Sequence, residues 1–244
     1  PLIQRADAVV HLAAVVGAGA CDAGPSEAIT TNLSATVELV RRLRPDQPLI
    51  FPCTNSGYGK GGALPVTESD PMTPLSLYGR TKVRAEKAVL RHPLGVSLRF
   101  ATLYGPSARM RLDLLVNAFV HRAVRDGNLA LYEPAFRRCV LHVADAAAAI
   151  EVALKVPRTL ARKPWNVGAE NVTKAELCAA IQNQLPLFKW AVAEGRDPDQ
   201  RDYAVSSDAF RHVTEWAPQI ILDKGIAQLM RTYRMPFEGP QWRN

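Results

Sequence analysis

Pro48-Leu49-Ile50-Phe51-Pro52-Cys53-Thr54-Asn55-Ser56-Gly57-Tyr58-Gly59 reads as a short buried strand running into a glycine-rich turn with a hydroxyl at Thr54. Further along, Tyr78-Gly79-Arg80-Thr81-Lys82 sets a tyrosine and a lysine one turn apart on the same helical face. Val96-Ser97-Leu98-Arg99-Phe100-Ala101 is another strand, followed by Tyr104-Gly105-Pro106. Strand, hydroxyl turn, helix, strand is the layout of an α/β sheet whose chemistry sits at the strand ends.

The same alternation extends outward. Asp7-Ala8-Val9-Val10-His11-Leu12-Ala13-Ala14 opens as a buried strand entering a small-residue turn, and Pro25 to Leu43 has helical spacing with Ile29, Leu33, Val37 and Val40 on one stripe. Alternating β and α over the first hundred or so residues predicts a parallel sheet. Beyond Pro106 the spacing predicts a helix over 112–124 and short strands at 129–132 and 139–143. It also predicts an alanine-rich helix over 145–154 with Asp145 as its N-cap. Trp165-Asn166-Val167-Gly168 reads as a returning strand, Thr173-Lys174-Ala175-Glu176 as a capping box, and Lys224 to Tyr233 as a final helix. The expected fold is a Rossmann-like, doubly wound parallel sheet over residues 1–107, with a smaller α/β lobe over 108–244. Residues 139–168 of that lobe partly return to the first unit.

The chemistry follows from the residue types. An ammonium near a phenol favours the phenolate, so Lys82 is expected to draw the Tyr78 hydroxyl below its ordinary value of about 10. Thr54, from a separate turn, is placed to hold an alcohol against that phenolate. The set suits oxidation of a secondary alcohol, given a hydride acceptor. The Tyr-x-x-x-Lys spacing alone also fits an ordinary surface helix; the flanking strands and turn favour the site.

Composition narrows the field. The formal net charge is +7, from 30 Lys+Arg against 23 Asp+Glu. No arginine-aromatic array or recognition helix accompanies that charge, so no nucleic-acid partner is expected. Arg109-Met110-Arg111 and Arg137-Arg138 suit a small anion such as a pyrophosphate, or plain surface charge. Cys21, Cys53, Cys139 and Cys178 are scattered, which fits a reducing cytoplasm and argues against a metal site. No signal peptide or membrane span is expected.

These residues resemble the extended short-chain dehydrogenase/reductases of the nucleotide-sugar epimerase/dehydratase family over most of the chain. The resemblance assigns Thr54, Tyr78 and Lys82 as catalytic residues. It sets Leu12, Ala13 and Ala14 beside the cofactor ribose, and Asn32 as a brace for the active-site backbone. Arg138 to Asp145 and Trp165 to Gly168 match further family segments. A narrower likeness, carried by 54–59, 107–117 and 197–203, is to a branch that includes a GDP-heptose 4-dehydrogenase. Implied substrate contacts are Asn55, Ser56, Thr102, Arg111, Asn117, Arg138 and Arg201, with the arginines on the diphosphate. The implied cofactor is NAD, with NADP the alternative, and the implied substrate a GDP- or UDP-linked sugar oxidised at C4. A homodimer through the Pro25–Leu43 and Tyr78–Leu90 helices is implied as well.

The sequence departs from the family in places. Cys139 and Ala144 stand where the family has aspartates, and Thr102 where many epimerases have asparagine. Asn55 and Ser56 replace the Asp-Glu pair of the 4,6-dehydratases, which disfavours dehydration. No Gly-x-Gly-x-x-Gly turn follows an early strand. The chain is therefore expected to be the later part of a longer enzyme, with a non-catalytic nucleotide- or partner-binding relative, or an inactive fragment, as the alternative.

Overall fold

The computed structural model describes residues 2–197 and 199–235. Helix α1 (Leu2–Arg5) precedes strand β1 (Val9–Val10), and α2 (Ala18–Ala23) follows. Helix α3 (Pro25–Ile29) opens with proline in its first turn, where a missing N–H costs nothing. It runs through a π-helical turn (Thr30–Ser34) into α4 (Ala35–Arg42). The helix expected over 25–43 is present, but with a π insertion that its periodicity did not announce.

Strand β2 (Leu49–Thr54) enters a 3-10 turn (Asn55–Tyr58), and α5 (Leu77–Val89) leads to β3 (Gly95–Phe100). The chain then builds β4 (Thr102–Tyr104), α6 (Leu115–Arg125), β5 (Asn128–Leu131), β6 (Arg137–His142), α7 (Val143–Lys155) and α8 (Pro157–Leu160). It returns as β7 (Pro164–Val167), followed by β8 (Glu170–Thr173), α9 (Lys174–Gln184), β9 (Lys189–Val192), α10 (Asp208–Thr214) and α11 (Leu222–Arg234).

The main sheet is parallel throughout, in the order β1-β2-β3-β7. Its central strands are buried on both faces, as such strands must be when helices cover each side. Along β2 the side chains alternate: Leu49, Phe51 and Cys53 join Ala85 and Val89 of α5, whereas Ile50 joins Val96, Leu98 and Phe100 of β3 and Ala149 of α7. Each fully buried Leu, Ile or Phe contributes about 2 kcal/mol. The opposite face of β3 turns Ser97 and Arg99 toward α5. A second sheet, β4-β6-β8, and the pair β5-β9 pack with α6, α9 and α11 around Val116, Leu131, Ile181 and Leu229.

Local expectations fare unevenly. The Thr173/Glu176 capping box is present, with both reciprocal bonds made. Asp145 is not the N-cap of α7. His142 takes that role, its ring nitrogen accepting from the Ala144 amide at 3.2 Å. The Asp145 carboxylate instead receives the Gln219 and Ile220 amides, each at 3.0 Å, tying α7 to the segment before α11. Helix α6 starts at Leu115 rather than 112, because Arg111 and Asp113 pair with each other in the preceding loop.

Candidate active site

Thr54 ends β2 and stands beside Phe100 of β3 at the C-terminal edge of the parallel sheet. Its side-chain oxygen accepts from the Ser56 amide at 3.1 Å, capping the 3-10 turn and holding the hydroxyl at the mouth of the strand. Gly59 closes the turn at φ 67°, and a Cβ there would lie 2.2 Å from the Thr73 carbonyl oxygen. Only glycine fits both the left-handed backbone and that approach. Ser76 caps α5 by accepting from the Gly79 amide at 3.1 Å. Tyr78 thus falls in the first turn of α5 and Lys82 one turn later.

The loop after β1 lies alongside. Leu12 is 66% exposed, and Ala13 is exposed too. Asn32, buried in the π turn, fixes that loop: its side-chain oxygen accepts from the Val15 amide at 2.8 Å. Its amide group donates to the Val15 carbonyl at 2.9 Å and to Thr81 Oγ1 at 3.3 Å. One side chain therefore joins the loop after β1 to the helix of Tyr78 and Lys82. The π turn supplies the extra residue that aims Asn32 inward.

Electrostatics differ from expectation. Lys82 is 3% exposed, and its ammonium lies over the Phe51 ring at 3.9 Å, with no carboxylate paired to it among the described residues. Burial pulls its pKa down to about 8. The Tyr78 hydroxyl is pushed up by burial, and the cations opposing that rise are Arg111 and Arg201. The Lys82 head itself packs against the Phe51 ring. Cys53, beneath this region, is buried and its thiol is raised far above the usual range, so it behaves as an inert core residue.

The expected anion ligands divide. Arg201 contacts Ser56 Oγ and grips Asp199 with two donors, at 2.7 and 2.6 Å. Arg111 pairs with Asp113 at 2.5 Å and donates to the Val16 carbonyl at 3.2 Å, so it borders the β1 loop. Arg138 is 2% exposed and pairs with Asp199 at 3.0 Å, sharing that carboxylate with Arg201. Asn117 is likewise buried, accepting from the Gly105 amide and donating to the Arg111 carbonyl, and braces two loops. Asn55 is fully buried with both amide atoms unpaired among the described residues. Thr102 is partly buried at the start of β4.

A buried polar cluster beside the Thr54 turn was missed in the sequence. Glu86, two turns past Tyr78, accepts from Arg99 Nη2 at 2.8 Å and from Ser97 Oγ at 2.7 Å. Arg99 Nη1 donates to Tyr58 Oη at 2.8 Å, and Tyr58 in turn donates toward Asn166 Oδ1 at 2.8 Å. The only sequence signal was a glutamate at the 78/82/86 helical spacing and an arginine inside a buried strand.

Among the described residues no group of three or more His, Cys, Asp or Glu is placed to hold a metal, and no helix is long and apolar enough to cross a membrane.

The sequence model of the NAD dependent epimerase/dehydratase family matches residues 2–168. Subunit beta of methionine adenosyltransferase 2 from Rattus norvegicus is 28% identical over 183 residues, covering 73% of this chain and 54% of that protein. YtcB of Bacillus subtilis, described as an uncharacterized UDP-glucose epimerase, is 26% identical over 191 residues, covering 75% and 60%. The chain thus spans little more than half the length of these curated relatives. The structure of a UDP-glucuronic acid 4-epimerase from Bacillus cereus, in complex with UDP-glucuronic acid and NAD, superposes with a TM-score of 0.82 at 21% identity. That superposition covers 96% of this chain and 77% of the other, a likeness of fold.

Proposed function

The chain belongs to the NAD dependent epimerase/dehydratase family, and from that premise we propose that it serves oxidation of a ring hydroxyl, at C4, of a nucleotide-diphosphate sugar. What carries the reading is one arrangement. The Thr54 turn at a parallel strand's C-terminal end packs against the start of α5, whose first turn carries Tyr78 and whose second carries a buried, carboxylate-free Lys82. Such an ammonium, held over the Phe51 ring without a competing carboxylate, is suited to the hydroxyls of a cofactor ribose. The residues at this end therefore fit NAD or NADP, while the glycine turn that cradles a dinucleotide pyrophosphate is not in this sequence.

When bound, the nicotinamide supplies the hydride acceptor. Thr54 orients the sugar hydroxyl, and Tyr78 Oη takes its proton. Arg111 and Arg201 partly offset the rise that burial imposes on the Tyr78 hydroxyl, and border the path of an anionic diphosphate. Asn55 and Ser56, lacking carboxylates, leave no acid–base pair for eliminating water, which favours epimerisation or simple oxidation over dehydration. The UDP-sugar named for the Bacillus relatives favours UDP, and the GDP-heptose likeness remains the second candidate.

Pairing of two copies fits the shallow groove between α3 and α5, edged by Ile29, Leu33, Leu77 and Val83. Sedimentation at micromolar protein reads this, and a monomer would refute it.

The functional test is incubation with NAD or NADP and a panel of UDP-, GDP- and dTDP-sugars, following reduced cofactor and sugar products. Tyr78→Phe should abolish turnover while leaving nucleotide-sugar binding intact; near-normal turnover defeats the mechanism. A second reading, a non-catalytic subunit, is favoured by the rat relative's description as a beta subunit. Ligand binding without turnover of any sugar in the panel would select it.

A further inference from the structure

Five buried side chains form one connected hydrogen-bonded path that neither the catalytic trio nor the diphosphate site uses. Ser97, Glu86, Arg99, Tyr58 and Asn166 are each 5% exposed or less. Glu86 belongs to α5, on the face that carries Tyr78 and Lys82. Arg99 holds Glu86 through Nη2 at 2.8 Å and Nε at 3.0 Å. Its remaining nitrogen reaches Tyr58 Oη at 2.8 Å and the Glu68 carbonyl at 3.3 Å. Tyr58 is the last residue of the 3-10 turn that begins directly after Thr54. Its hydroxyl hands on to Asn166 Oδ1 at 2.8 Å and the Thr67 carbonyl at 3.0 Å.

One planar guanidinium thus spans the two elements that bear the reacting groups. Arginine's fixed fork makes the spacing rigid, since both ends are charge-assisted or directional bonds in a dry interior. Burial holds the Tyr58 hydroxyl up at about 12, so it stays a protonated phenol, able to accept from Arg99 and donate onward across the working pH range.

We propose that Tyr58 and Arg99 are positioning residues, which set the distance between the Thr54 hydroxyl and the Tyr78 hydroxyl by clamping the 3-10 turn to α5 through Glu86. The assignment rests on the functional reading above. Its consequence is specific: loosening the Tyr58–Arg99 bond slows the chemical step and leaves substrate affinity alone.

The test compares two single-atom deletions in the NAD-loaded protein acting on whichever nucleotide sugar the wild type turns over. Tyr58→Phe removes the bond between turn and guanidinium. Ser97→Ala removes a bond to the same Glu86 without touching the turn. Tyr58→Phe is expected to lower kcat roughly tenfold to a hundredfold, with KM within about twofold. Ser97→Ala should lower the melting temperature yet keep kcat within about twofold. Equal kcat in Tyr58→Phe and wild type overturns the proposal, as does an equal kcat loss in Ser97→Ala, which would make the loss a matter of stability. If Tyr58→Phe does not fold, Arg99→Lys keeps a cation beside Glu86 but loses the fork that reaches Tyr58, and is expected to lower kcat too; unchanged kcat there overturns the proposal. A wild type that turns over no sugar defeats the functional reading, and this assignment falls with it. Turnover by wild type and Tyr58→Phe alike defeats this assignment alone.

Discussion

Replacing Lys82 with methionine should make the protein more stable while silencing it. The side chain is 3% exposed and its pKa drops from the ordinary 10.5 to about 8, because burial penalises the charged form. At about 1.4 kcal/mol per pH unit, keeping that ammonium charged in the fold costs about 3 kcal/mol. Methionine matches its length and carries no charge. The exchange also forfeits the contact with the Phe51 ring at 3.9 Å, worth about 0.5–2 kcal/mol. The net gain at pH 7 is therefore about 1–3 kcal/mol. Its pH dependence is the sharper signature. Below about pH 8 the lysine is protonated in both folded and unfolded chains, and the full cost is present. Between about 8 and 10.5 the unfolded chain binds more protons than the native one, so wild-type stability rises with pH and the variant's advantage shrinks. Urea unfolding of both proteins at neutral pH and near pH 10 measures this. A variant less stable than wild type at pH 7, or an advantage that does not change with pH, would refute the reasoning.

Other perturbations probe the same scaffold. Glu86→Gln leaves the Arg99 guanidinium buried without a counter-charge and should cost about 3–5 kcal/mol in denaturant unfolding; a loss below about 1 kcal/mol would mean the pair is dispensable. Asn32→Ala strips both partners from the Val15 backbone and should cost roughly 2–4 kcal/mol. Hydrogen exchange at the Val15 amide should accelerate, and unchanged protection there would contradict the bracing role. Gly59→Ala drives a methyl into the Thr73 carbonyl at a positive φ, and should lower the melting temperature and weaken turnover together.

Much of this was legible before any coordinates. Leu49-Ile50-Phe51 announced a strand buried on both faces because nothing polar interrupts it, and the Thr173–Glu176 box announced its helix start because a cap is a local event. Thr54, Tyr78 and Lys82 could be singled out as candidates because their residue types and order are carried by short segments. What escaped depends on partners distant along the chain. Arg138 and Arg201 look alike in sequence and share the Asp199 carboxylate, yet Arg138 is buried whereas Arg201 is partly exposed and also touches Ser56. Asn117 is drawn inward by the Gly105 amide. Asp145 suits a cap, but His142 arrives first and the aspartate is free to collect two amides from the segment before α11. The π turn at Thr30–Ser34 is invisible to a 3.6-residue period because Leu33 is its single apolar residue, too few to show a break in the stripe.

The placement of β7 beside β3 also dictates how the chain acquires its shape. These neighbours pair Ser97 with Pro164 through Phe100 with Val167, and β4 through β6 with α6 to α8 lie between them in sequence. During synthesis β3 emerges with one flank bare and waits for that whole excursion before its second partner exists. Local capture of β1, β2 and α5 can proceed early, whereas zipping of β7 requires closing a long loop and sets the slow step. In the interval the Gly95–Phe100 edge is an open template for strands of other nascent chains. Aggregation during refolding should therefore be concentration-dependent and confined to the period before β7 docks.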